Sequence, residues 1–249
     1  MEKLPISVCI VASNEETNLD RCLNSVKDRV SEIIVLINDC TDNTDSVARE
    51  AGAQVFEEAW ENYTVQVSKA ISKASSDWIL VLDADEELSD ELANSIVTFV
   101  NTNDSTFNGA YFSRSTKILG KFIKHGDWSP DYVYRLFRKG KGTSEGAEHG
   151  RIDIDGQTKR LDGKLRHYSF PTLELEMSKI AHFANSFGSR TEKKWCIFEC
   201  VSRSIWRFIR SYFIKLGILD GFPGLYVASY VSYTTFIKYS RLYKNKYDK

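Results

Sequence analysis

The first hundred residues alternate between short apolar runs and stretches with apolar positions at helical spacing. Ile6–Ala12 is a β-rich run, and Leu19, Cys22, Leu23 and Val26 then recur on one helical face. Glu32–Ile37 predicts a second strand, running into Asn38–Thr44, a loop rich in turn and cap formers. A helix through Val47–Ala51 stops at Gly52, and a third strand begins at Gln54–Phe56. Val67, Ala70, Ile71 and Ala74 mark the next amphipathic helix, which leads to the apolar run Trp78–Leu82. Strands alternating with helices predict a parallel, doubly wound α/β sheet.

The run at Trp78 ends abruptly in Asp83, Asp85, Glu86 and Glu87. A strand buried on both faces of a parallel sheet carries such a run, and ligands bind at the carboxyl ends of such strands. Crowded carboxylates repel one another, and a hard divalent cation such as Mg²⁺ or Mn²⁺ relieves that repulsion while also binding phosphate oxygens. The other reading of the same spacing is a strand followed by a solvated acidic helix start.

Beyond this point the rhythm changes. Ser89–Val100 is a helix with Leu92, Ile96 and Phe99 on one face, and Asn101–Asn108 is a polar loop. Ala110–Thr116 and Tyr132–Arg138 read as strands, separated by the loop His125-Gly-Asp-Trp-Ser-Pro-Asp131. Gly140–Gly156 is glycine-rich and polar, with Glu145, Glu148 and His149 close together. Glu174–Arg190 reads as a helix. Residues 1–185 are expected to form one domain with two halves, 1–100 and 101–185, followed by a helical extension over 186–249.

Composition adds four points. A net charge of −1 over 249 residues gives no argument for nucleic-acid binding. The five cysteines form no CxxC pair; Cys9 and Cys22 sit where buried free thiols are expected. The N-terminus lacks the regions of a signal peptide, so a cytoplasmic location is the expectation. From Val201 onward, nine Lys/Arg face two acids, Asp220 and Asp248. Ile205–Leu216 mixes aromatics and aliphatics with Arg207, Arg210 and Lys215, whereas Gly221–Ile237 is uncharged but too short and polar to span a bilayer. This pattern suits the headgroup region of an anionic membrane, or a helical pair packing on protein.

Three motifs resemble the family 2 glycosyltransferases of GT-A fold: Val11-Ala-Ser-Asn-Glu-Glu16, Cys40-Thr-Asp-Asn-Thr44, and Ser76–Glu86 around Asp83-Ala-Asp85. Pro130–Gly140, His167-Tyr-Ser-Phe170 and Tyr212–Gly221 resemble a narrower branch, the lipopolysaccharide inner-core β-glucosyltransferases of Gram-negative bacteria. The resemblance implies a mostly parallel sheet flanked by helices, with a C-terminal membrane-associating extension. It implies transfer of a hexose, glucose from UDP-glucose, to a heptose of lipid A-core with inversion. The chain would then work as a peripheral protein at the cytoplasmic face of the inner membrane.

By the same resemblance Asp85 binds Mg²⁺ or Mn²⁺ and Asp83 meets the ribose, or the metal through water. His149 either completes the metal shell or is solvated. Ala12, Asn14, Glu15, Asp39, Asp42, Gln66 and Ala84 join Asp83 around the nucleotide sugar. Asp131 is the candidate base for the acceptor hydroxyl, with Asp127 as runner-up. Three departures accompany the match. Ile37 stands where relatives carry a base-reading Asp, Gln66-Val-Ser68 lacks a lysine, and Gly150 follows His149 where relatives have Glu. Alternatives are another nucleotide sugar with a polyprenyl-linked or capsular acceptor, or a degenerate membrane-bound scaffold.

Overall fold

A computed structural model describes residues 3–146, 151–168 and 195–247, together with 180, 184, 185 and 187. Glu148 and His149 lie outside the described residues, as does almost all of the helix expected over Glu174–Arg190. The chain divides into two compact units, Met1–Arg114 with Tyr132–His167, and Ser115–Asp131 with Tyr168–Lys249. These bounds differ from the expected break after residue 185: the segment holding His125 and Asp127 goes with the C-terminal helices.

The first unit is built on β1 (Leu4–Ala12), β2 (Val30–Ile37), β3 (Gln54–Glu57) and β4 (Trp78–Asp83), which lie parallel in the order β3-β2-β1-β4. Val8 pairs with Ile33 on one side and Leu80 on the other, so the apolar runs are in register. Alternate residues feed two cores. Val8, Ile10, Leu80 and Leu82 face one, which includes Leu19 and Cys22 of α1 (Glu16–Asn24) and Leu92 and Ile96 of α4 (Asp90–Thr102). Cys9, Ile79 and Val81 face the other, with Val67 and Ala70 of α3 (Tyr63–Lys73). Helices thus cover both faces, the reason these strands lack polar alternation. The helix α2 (Thr44–Glu50) links β2 to β3. Asn62 caps α3 by accepting from the Val65 amide, and Ser89 caps α4 by accepting from Leu92.

Two elements depart from the sequence reading. The acids after β4 do not open a helix. Asp83 ends β4, Ala84-Asp85 make a tight turn, and Glu86–Leu88 form a short strand, β5. The partner of β5 is β11 (Thr158–His167), antiparallel, with His167 opposite Glu86. The sequence had not marked β11 as a strand, because its buried Leu161 and Leu165 are four apart and fit either period. Gly163 of β11 has φ +96°, and a Cβ there would lie 2.2 Å from the Leu92 amide nitrogen, so only glycine lets β11 run this close to α4. The glycine-rich stretch contains a hairpin of β9 (Gly142–Glu145) and β10 (Arg151–Ile154). The sheet continues from β4 through β8 (Asp131–Arg138) and β6 (Gly109–Ile118) to β11 and β5; β7 (Lys121–Phe122) pairs with the end of β6.

In the second unit α5 (Ile197–Ile209) continues into a π-helical turn, Arg210–Ile214, then a 3₁₀ turn, Gly217–Asp220, and the long α6 (Phe222–Tyr247). Gly217 and Gly224 let α6 start against that turn, since a Cβ on Gly224 would fall 1.8 Å from the Gly217 carbonyl oxygen. Ile118, Ile123 and Trp128 of the 115–131 segment pack with Val227 of α6. Among the described residues no helix is long and apolar enough to cross a membrane.

Candidate active site

The loops leaving β1 and β2 are tied into one ridge at the carboxyl edge of the sheet. Asn14, held at φ 54°, accepts from the Thr41 amide (2.7 Å) and hydroxyl (3.1 Å) through its Oδ1. The Ser13 hydroxyl donates to the Asn38 carbonyl, and the Glu15 amide donates to Thr44 Oγ1 (2.8 Å). Asp42 accepts from the Glu16 amide (3.1 Å) and from the amide and hydroxyl of Thr44. Burial opposes its ionisation, but these bonds outweigh it and hold the carboxyl below its usual range. Both Asp42 oxygens are therefore engaged in shaping the loop, while Asp39, at φ 43°, is exposed beside it. Ala12 and Ile37 are buried opposite one another at the strand ends. Gln66 is buried, donates to the Ala59 carbonyl (2.6 Å), and leaves its own Oε1 buried without a hydrogen-bond partner.

The acidic turn is organised by a cation that the sequence reading missed. Arg135 of β8, almost wholly buried, lies 2.5 Å from Asp83 and 3.0 Å from Glu86. The Tyr63 hydroxyl donates to the other Asp83 oxygen. Burial alone would raise the Asp83 pKa, yet Arg135 and Tyr63 reverse that and hold it at about 2. Tyr63 is pushed the other way, well above the usual phenol range, first by burial and then by the Asp83 charge, so it remains a donor. Glu86 has no exposed side chain and meets Arg114 at 3.3 Å as well as Arg135; burial and the Asp83 charge raise its carboxyl. It also accepts from the Asp83 amide at 3.0 Å, which closes the turn. Glu87 pairs with Arg166 of β11 at 3.1 Å. Ala84, in the same turn, is buried.

Asp85 is left for a different task. Its carboxylate lies 3.4 Å from Nε2 of His167, with 22% and 13% of the two side chains exposed. Two donors that far apart fit neighbouring positions of a cation shell, since ligands at about 2.1 Å in octahedral geometry sit about 3 Å from each other. A carboxylate oxygen suits Mg²⁺ or Mn²⁺, and the imidazole nitrogen beside it favours Mn²⁺, the transition metal of the two. No group of three or more His, Cys, Asp or Glu gathers among the described residues, so remaining positions would fall to water and diphosphate oxygens. The side chain that β11 pairing brings to Asp85 as a candidate second donor is His167, whereas the expected His149 lies outside the described residues.

Of the two candidate bases, Asp127 is consumed within the second unit. It is buried, with Arg210 at 2.5 Å, Lys215 at 3.2 Å and Arg207 at 3.2 Å, the last without hydrogen-bond alignment. Its amide donates to Ser211. His125, in the same loop, bonds the buried Asp220 at 3.0 Å. Asp131 opens β8 and is half-buried. All five cysteines are free, with Cys9 and Cys22 buried as expected; burial pushes the Cys9 thiol up to about 12.

Comparison with known proteins bears on the fold and the family. An uncharacterised glycosyltransferase of Rickettsia felis is 30% identical over 97% of this chain and 90% of its own length. LpsC, a lipopolysaccharide core biosynthesis glycosyltransferase of Rhizobium meliloti, is 28% identical over 67% of this chain and 64% of its own. Among solved structures, the Pyrobaculum calidifontis mannosyltransferase PcManGT, in complex with GDP-Man and Mn²⁺, matches all of this chain and 89% of that one, with a TM-score of 0.53 at 14% identity. Glucosyl-3-phosphoglycerate synthase of Mycobacterium tuberculosis, in complex with Mn²⁺, UDP and phosphoglyceric acid, matches 74% of this chain and 78% of that one, with a TM-score of 0.50 at 17% identity. Both share the GT-A-like arrangement, a mostly parallel sheet with flanking helices. Residues 7–152, from β1 to the β9–β10 hairpin, match the description "Glycosyl transferase family 2", and the chain belongs to that family.

Proposed function

We propose that this protein is a metal-dependent, inverting hexosyltransferase that moves glucose from UDP-glucose onto a heptose of the lipopolysaccharide inner core. The observation that carries the metal-dependent chemistry is the pairing of Asp85 with His167 beside an Asp83 already neutralised by Arg135. One carboxylate is fixed and one is left for a ligand. Asp83, locked by Tyr63 and Arg135, is held ready to accept from a ribose hydroxyl. Asp85 and His167 would hold the cation, which supplies charge stabilisation for the departing diphosphate.

In the transfer, the acceptor oxygen bonds to the anomeric carbon as the bond from that carbon to the diphosphate breaks. The acceptor proton passes to Asp131, and the nucleoside diphosphate leaves with the electron pair. Asp131 is preferred to Asp127 because three cations already engage the latter. Ile37 is buried and offers no hydrogen bond to a base, so reading of uracil falls to the exposed Asp39.

The likeness to LpsC supports an acceptor in the lipopolysaccharide core. Such an acceptor is lipid-borne, which sets the reaction at the cytoplasmic face of the inner membrane. A panel of nucleotide sugars with Mn²⁺, read by thermal shift, tests the donor, because a ligand of the native state alone raises the melting temperature. UDP-glucose with Mn²⁺ is expected to give the largest rise. A larger rise with a guanine nucleotide sugar would overturn the donor, and no rise with any would overturn the transferase reading.

A further inference from the structure

The C-terminal unit presents a bare apolar stripe. Ile197, Val201, Ile205, Ile209 and Phe213 recur every fourth residue along α5 and the π-helical turn, and are 39–64% exposed. Residues four apart share a helical face, so these side chains form one ridge. Phe198 beside it is 77% exposed, and Leu219 and Phe222 extend the apolar surface past the 3₁₀ turn. The opposite face of α5 is already covered. Cys200 and Ser204 are buried, Cys200 donates to the Phe236 carbonyl of α6, and the Ser232 hydroxyl of α6 donates to the Ser204 carbonyl. A contiguous apolar surface of this kind marks an interaction site.

Charge selects the occupant. Arg207, Arg210 and Lys215 surround a single buried carboxylate, Asp127, so positive charge is in surplus there. A third or more of each of their side chains remains open to solvent. Arg203 is half exposed, with Glu199 at 3.6 Å. A second protein surface could cover the ridge without needing these cations, whereas an anionic leaflet uses both features.

We propose that the Ile197–Phe213 ridge lies in the headgroup region of an anionic bilayer, its apolar side chains at the acyl boundary and the solvent-exposed parts of Arg203, Arg207, Arg210 and Lys215, on the flank of the same helix and the turn after it, reaching round to lipid phosphates. The ridge is one-sided, and no described helix is long and apolar enough to span, so the chain lies on the leaflet. The inference deepens the reading of a lipid-borne acceptor and rests on it for the choice of a bilayer, but its test is separate from transfer.

The experiment is co-sedimentation of the full chain with vesicles of phosphatidylcholine containing about 30% phosphatidylglycerol, and with phosphatidylcholine alone. The wild-type protein is expected to bind the anionic vesicles preferentially and to be largely released at about 0.5 M salt. The double variant Ile205→Glu/Phe213→Glu should lose at least about tenfold in partitioning with an unchanged melting curve, and Ile205→Leu/Phe213→Leu should retain it. Undiminished partitioning of the Glu variant, or equal binding to neutral vesicles, would overturn the proposal. So would a wild-type dimer, seen by sedimentation velocity without vesicle binding, that the Glu variant dissociates. Transfer to a water-soluble acceptor is measured alongside. Transfer without vesicle binding sinks the docking alone, and vesicle binding without transfer upholds the docking while sinking the transferase reading.

Discussion

Arg135 lies 2.5 Å from Asp83, joining the middle of β8 to the last residue of β4 across an antiparallel strand pair. Glu86, fully buried, depends on the same guanidinium at 3.0 Å. Removing one partner of a buried ionic group leaves the others uncompensated, which costs about 3–5 kcal/mol. Arg135→Ala should therefore lower the unfolding free energy by about that amount, read by urea denaturation, and abolish donor binding. Arg135→Lys should recover only part of either, because one guanidinium nitrogen, Nη2, serves both Asp83 and Glu86, and the shorter lysine side chain must bring its compact ammonium to that same point.

Asp85→Ala and His167→Ala should each leave the fold intact and abolish the Mn²⁺-dependent thermal shift given by the donor. Direct calorimetric titration with Mn²⁺ and UDP should show a loss of affinity larger than the roughly 10–100-fold that removing an outer-shell partner causes. Retained Mn²⁺ affinity in His167→Ala would move the second ligand elsewhere.

Asp131→Asn is expected to lower kcat by about 10²–10⁴-fold with donor affinity unchanged, as loss of a general base does. Asp127→Asn should behave differently. It leaves Arg207, Arg210 and Lys215 facing one another, so the melting temperature should fall. Normal stability with a kcat loss in Asp127→Asn would reverse the two assignments.

Asp220 gives a pH signature. Burial opposes its ionisation, but His125 and the amides of Lys124 and His125 hold its carboxyl below the ordinary range. A carboxyl lowered on folding adds stability that is present above the unfolded value, about 3.9, and is lost as pH falls through the lower folded value. Asp220→Asn should therefore melt earlier than wild type at neutral pH, and the difference should shrink as the pH drops below about 4. A difference in melting temperature that stays constant with pH would show that the carboxylate charge at Asp220 contributes nothing.

Much of the first unit could be read along the chain. The alternation of strand and helix through Leu82, the capping loops after β1 and β2, and the acids at the end of β4 are local patterns, set by periodicity and turn chemistry over a few residues. Asp85 was legible for the same reason, as was the pairing of basic and apolar residues in the C-terminal segment.

The partners of those acids were not legible, because they come from residues 20 to more than 80 positions away. Arg135 is an arginine in an alternating strand like any other until β8 lies antiparallel to β4. His167 closes a strand whose two leucines fit either period, and only its pairing with β5 brings it to Asp85. Asp127 looked like a base in a loop of functional residue types, yet three cations from α5 and the turn after it engage it. Sequence by itself determined which residue types stand at the strand ends and which face of each element is apolar, since both follow from short-range periodicity. Tertiary structure alone decided which charges neutralise one another and which remain for a ligand, because ion pairing is set by distance in space and not along the chain.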